Sequence, residues 1–339
     1  MDCQYNCYVY SSLPSNSKQL TEFNLKYKNI TLVLTVDDTI KQFFKEEKYE
    51  TNEKYNLSHL SLLKSNLQKS VRRNMPQVAL KTAYSMANIS KPDDNLFGLK
   101  ELLRRFPIIQ IEDTCLTKDF SRLVWLMIYV SKDGIPHKIF LNWLYHHIYF
   151  IASFGMKDLD ICDERKLDLW NILQNKILNE NQISALFALK IRQQYGGMKC
   201  DQEMLNTFIN LWYSRFTLGA KGYILNLIEK SYCSLETILI HPSHLEPNEI
   251  LLEAIDHHCS NVCEYITKNS GLVEDIEHII WDYRSCIHFK PMLDFNFVEY
   301  NKNHIDVVSK KPKTEEIETI LQLCDEHAKE KIKQLHQQV

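Results

Sequence analysis

Glycine is scarce in this chain, with eight residues in 339. None stands in a G-x-G-x-x-G or a G-x-x-x-x-G-K-[ST] pattern. A phosphate cradle of either kind needs glycines so that backbone amides can close on the anion, so Rossmann and P-loop nucleotide sites are disfavoured. G-x-S-x-G, H-E-x-x-H and C-x-x-C are missing too, which removes the usual esterase, zinc-protease and dithiol or zinc-finger signatures. Long apolar runs are also lacking. The richest stretch, 139–154, is interrupted by Asn142, His146 and His147, and no run of ~20 uncharged apolar residues occurs, so a membrane span is not expected. The opening residues, Met1-Asp2-Cys3-Gln4-Tyr5-Asn6, have neither the basic nor the apolar region of a secretory leader. No excess of one charge exists: Lys and Arg number 40 and Asp and Glu 43. A wholly basic nucleic-acid binder is therefore excluded, and any electrostatic specialisation must come from local clustering.

What remains is the balance of a folded protein, 45% hydrophobic and 24% charged. A chain this long buries enough surface to need neither disulfides nor metal for stability. Of its ten cysteines, Cys115, Cys162, Cys200, Cys233, Cys286 and Cys324 lie far apart in apolar or helical contexts. They read as free thiols in a reducing compartment, cytoplasmic or nuclear.

The pattern predicts a mainly α fold, a multi-helix globular body with a small N-terminal β element. Residues 1–50 hold two strand-like runs, Tyr5 to Tyr10 and Ile30 to Val36, separated by the turn-prone Leu13-Pro14-Ser15-Asn16-Ser17. Residues 51–312 form the helical body. Leu60, Leu63, Leu67 and Val71 mark one helical face. Asn74 suits the N-cap of the next helix and Pro76 its first turn. A third helix from Leu96 is ended or bent at Pro107. Further helices are predicted from Asp119, Pro136, Asp163, Asn181, Asp201, Ala220, Pro247 and Val273, and a long loop from Phe289 to Pro312. Residues 313–339 form a charged amphipathic helix. No repeat of fixed period is present.

One stretch carries a more specific pattern. It runs Leu67-Gln68-Lys69-Ser70-Val71-Arg72-Arg73, then Ala79-Leu80-Lys81-Thr82-Ala83-Tyr84-Ser85-Met86, then Leu102-Leu103-Arg104-Arg105, then Ile111-Glu112-Asp113. This resembles the helical C-terminal region of the replication-associated AAA+ ATPases of the RarA/MgsA type, over about residues 60–130. The resemblance implies a helical scaffold that drives oligomerisation in that family. It does not imply ATP hydrolysis, because the ATPase core has no counterpart here.

Two physical readings of the arginines follow. In the first, they pair internally with Glu112 and Asp113, with the Pro107 bend folding Arg104 and Arg105 back onto the acidic pair. In the second, Lys69, Arg72, Arg73, Arg104 and Arg105 present a basic patch to a phosphate backbone.

Two other motifs stand out. Tyr195-Gly196-Gly197-Met198-Lys199-Cys200-Asp201 is either a glycine-capped helix end with Asp201 capping the next helix, or a ligand loop whose amides and Lys199 face an anion. In Ala254-Ile255-Asp256-His257-His258-Cys259-Ser260, Cys259 and Cys263 are one helical turn apart. With His257 or His258, and a fourth ligand from His278, Cys286 or His288, they could hold zinc, although most such clusters on amphipathic helices are core or surface residues. The aromatic run from Trp125 to Phe150 reads as core.

The sequence therefore implies no cofactor. Three functions fit: a non-enzymatic accessory protein of DNA replication or repair that binds DNA or RNA, a helical scaffold for a protein partner or a homo-oligomer, or an enzyme of unrecognised type using the Asp256 to Cys263 region.

Overall fold

The computed structural model describes residues 7–8, 12–25, 30–38, 40–44, 48–158, 177–219, 222–230, 242–271, 276–288, 290, 293 and 315–339. The fold is mainly α, with a small two-stranded sheet at the N-terminal end. Strands β1 (Ser17–Leu25) and β2 (Ile30–Asp37) pair antiparallel, from Ser17 opposite Asp37 to Leu25 opposite Ile30. The sequence places the first strand at Tyr5 to Tyr10, most of which lies outside the described residues. It misses β1 because the register slips between Gln19 and Thr21, which breaks the alternation of apolar and polar residues. Two strands cannot stand alone. Leu34 and Val36 of β2 are buried against the helices.

Helix α1 (Leu60–Arg72) is the axis of the body. Leu63, Leu67 and Val71 are fully buried, and so is Asn66. Asn66 donates to Thr82 Oγ1 (2.8 Å) and accepts from the Leu251 amide (2.9 Å), which joins three parts of the chain. Helix α2 (Pro76–Ala87) opens with Pro76 in its first turn, but Met75 holds the N-cap. Asn74 instead takes a left-handed conformation (φ 58°) and closes α1, a role asparagine tolerates as well as capping.

Helix α3 (Phe97–Asp113) runs straight through Pro107 in sequence. A buried stretch of Phe106, Ile108, Ile109 and Ile111 surrounds that proline, and its packing offsets the missing backbone donor. The helix does not end at Pro107, and Arg104 and Arg105 bond to Glu101 and Gln68 and not to Glu112 and Asp113.

Helices α4 (Phe120–Ser131), α5 (Lys138–Ser153), α6 (Glu180–Gln194), α7 (Lys199–Leu218) and α8 (Gly222–Glu229) complete the main core. A capping box starts α6: Asn179 accepts from the Gln182 amide, and the Gln182 side chain accepts from the Asn179 amide. The predicted helix from Asp163 lies almost wholly outside the described residues.

The aromatic run packs inside, with Phe44 in contact with Trp125, Tyr129 and Phe140. A fully buried Arg215 on α7 forms a two-bond fork with Asp158 (2.7 and 2.9 Å), and Trp212 donates to the same carboxylate (2.9 Å). A smaller core joins α9 (Cys259–Ser270), α10 (Ile276–Ile280) and α11 (Glu315–His336) through Val262, Ile266, Ile280, Ile320 and Cys324. A π-helical turn, Trp281–Ser285, follows α10 directly. No helix among the described residues is long and apolar enough to cross a membrane.

Candidate functional site

The basic residues singled out in the sequence separate into two groups. Lys69, Arg72 and Arg73 lie at the C-terminal end of α1 and point at the π-helical turn. Lys69 Nζ donates to Ser285 O (2.9 Å) and Arg72 Nη1 to the same oxygen (2.7 Å). Arg73 donates to Arg284 O (2.6 Å) and to Ile287 O. These carbonyls belong to the end of a helix, where acceptors lack intrahelical donors and the dipole favours cations.

Arg72 also grips the acidic pair. Its Nε meets Asp113 Oδ1 at 2.7 Å and its Nη2 meets Glu112 Oε1 at 3.1 Å. Arg72 is 2% exposed and Asp113 wholly buried. Burial alone would pull the Arg72 guanidinium down and push the Asp113 carboxyl up, but their mutual attraction wins. Arg72 ends above its usual range and Asp113 below its own. Glu112 moves up, because burial and the adjacent Asp113 charge outweigh Arg72. Burial, aided by Arg72, lowers Lys69 to about 8.

Asp256, in the 3-10 segment Leu252–His258, completes the cluster from below. It accepts from Arg284 Nε (2.9 Å) and from Ser285 Oγ (2.9 Å), while Arg284 also pairs with Asp325 of α11. His288 stands 3.6 Å from Asp113 and 3.3 Å from Lys157 Nζ. Burial and then Lys157 push it down to about 3, so it is neutral.

In the folded chain, then, Lys69, Arg72 and Arg73 are interior side chains that tie α1, α3 and the C-terminal elements together. They do not form an open face. The physical reason is their partners: three carboxylates (Glu112, Asp113 and, 3.8 Å from Arg73, Glu253) and three helix-end carbonyls outcompete solvent for their donors.

Arg104 and Arg105 sit elsewhere, at the corner where α3 meets α6 and α7. The Arg104 side chain is 54% exposed, pairs with Glu101 (3.0 Å) and lies over the Tyr195 ring (5.9 Å). Arg105 turns inward to Gln68 Oε1 (2.7 Å) and lies 3.9 Å from Asp201 Oδ2. Gln68 in turn donates to Glu112 (2.8 Å). A polar chain thus runs from the first turn of α7 to the buried Arg72.

Sequence reasoning missed the third arginine of this corner, Arg192 on α6. It is 4% exposed and holds Gly196 O (2.7 Å) and Arg104 O (2.8 Å), while its Nε has no partner. One signal was available: Arg192 falls four residues after Ala188 on a buried face, and an arginine on such a face needs internal acceptors. The same holds for Arg215, four residues after the buried Leu211.

Gly196 (φ 105°) and Gly197 (φ 130°) both take conformations that other residues resist, so the turn requires them. The N-cap of α7 is Met198, not Asp201, which occupies the first turn.

At the third motif, the Cys259 thiol donates to Asp256 O (3.0 Å) and His257 Nδ1 lies 3.1 Å from Ala254 O. Burial, with Asp256 nearby, raises Cys259 to about 11, which keeps it a thiol at neutral pH. Among the described residues no group of three or more His, Cys, Asp or Glu side chains is placed to hold a metal ion. An apolar space of about 940 Å³ lies between β2 and α4, lined by Leu34, Ile40, Phe44, Trp125 and Ile128, with Arg122 at its wall. No family model, curated protein or solved structure matches the chain.

Proposed function

We propose that this protein is a non-enzymatic helical scaffold that works by binding a protein partner or further copies of itself. The observation that carries this reading is the internal use of Lys69, Arg72 and Arg73. Their donors meet Asp113, Glu112 and the carbonyls of 284, 285 and 287, and these contacts hold the C-terminal elements against α1 and α3. Basic side chains turned inward in this way are largely withdrawn from a phosphate backbone. The partial resemblance to the oligomerising region of replication-associated ATPases supports the same reading, since that region serves assembly. The free thiols among the described cysteines support a reducing setting, cytoplasmic or nuclear.

The test is multi-angle light scattering over a wide concentration range, joined to cross-linking of the full chain at its native expression level. Self-association, or one reproducible cross-linked partner, is the expected result. A monomer at all concentrations with no reproducible cross-link would remove the scaffold reading.

A second reading is an accessory protein of DNA replication or repair that touches nucleic acid itself. The exposed Arg104 favours it, and it places the contact at the α3–α6–α7 corner. It predicts binding that loses affinity steeply with salt.

A further inference from the structure

We draw no further inference here: the strongest candidate, the apolar space of about 940 Å³ between β2 and α4, is lined by Cys7, Tyr8 and Ser12 on either side of residues 9–11, which lie outside the described residues, and nothing in the structure shows what covers it.

Discussion

Arg72 is the residue on which the interior charges converge, so its removal separates a paired cluster from an unpaired one. With R72M, Asp113 stays buried and loses its main partner, which costs about 3–5 kcal/mol. Urea unfolding should show that loss as a lower midpoint. R72M/D113L, which removes both buried charges, should recover a large part of it, because two apolar side chains of similar volume need no partner. A double variant as unstable as R72M would contradict the pairing. His288 offers a pH test. A free histidine titrates near 6.5, and here the value falls to about 3 because of burial and then Lys157. Between those values the unfolded chain binds a proton that the folded chain refuses, so stability falls as pH drops from 6.5 toward 3. Asp113 stays ionised over most of this window and opposes the shift, while Arg72 and Arg73 add to it. H288Q should lessen the stability lost between pH 7.5 and pH 5 by up to about 2 kcal/mol, measured by urea unfolding at each pH. Equal losses in the parent and the variant would remove His288 from the account. That Glu112 and Asp113 answer an arginine was legible in the sequence. That the arginine is Arg72, some forty residues away, was not, because the pairing depends on how α1 crosses α3.

At the scale of the elements, the junction of α2 and α3 depends on one glycine. A Cβ on Gly98 would stand 2.0 Å from Met86 O and 2.6 Å from Ile89 O, both backbone atoms that cannot step aside. The Gly98 amide also donates to Ile89 O (2.8 Å). G98A should therefore cost about 3 kcal/mol or more, read as a lost or greatly lowered unfolding transition in circular dichroism. G155A, where nothing lies within 4 Å, is the control and should change little. Gly98 drew no attention in the sequence because it lies inside a helical pattern, where its reason is a neighbour rather than a turn. The helices themselves were legible from apolar spacing, α1 most clearly through Leu63, Leu67 and Val71. Strand β1 was hidden by its bulge, and the continuity of α3 by Pro107. In both places tertiary packing overrides a local signal. The π-helical turn at 281–285 had no sequence signature at all. Its carbonyls receive Lys69, Arg72 and Arg73, so the site could not be assembled from α1 alone.

For the whole molecule, the near balance of charge and the inward basic side chains agree. A chain of 40 basic and 43 acidic residues has no bulk attraction for a polyanion. Its arginines hold helices together at Arg72–Asp113, Arg284–Asp256 and Arg215–Asp158. Helices α1 to α4 supply much of the main core. A scaffold reading needs only that body and an exposed surface for a partner. A nucleic-acid reading needs several cations facing outward together, and of the five proposed from sequence only Arg104 is strongly exposed. The most direct measurement is fluorescence anisotropy of labelled single- and double-stranded DNA titrated with the full chain over a series of salt concentrations. The account predicts weak binding or none at low salt, with log K against log salt falling by no more than about one, the slope of a single phosphate contact. Tight binding with a slope of about four or more, abolished by substituting Lys69 and Arg73, would show that these side chains face the nucleic acid and would contradict the interior clamp.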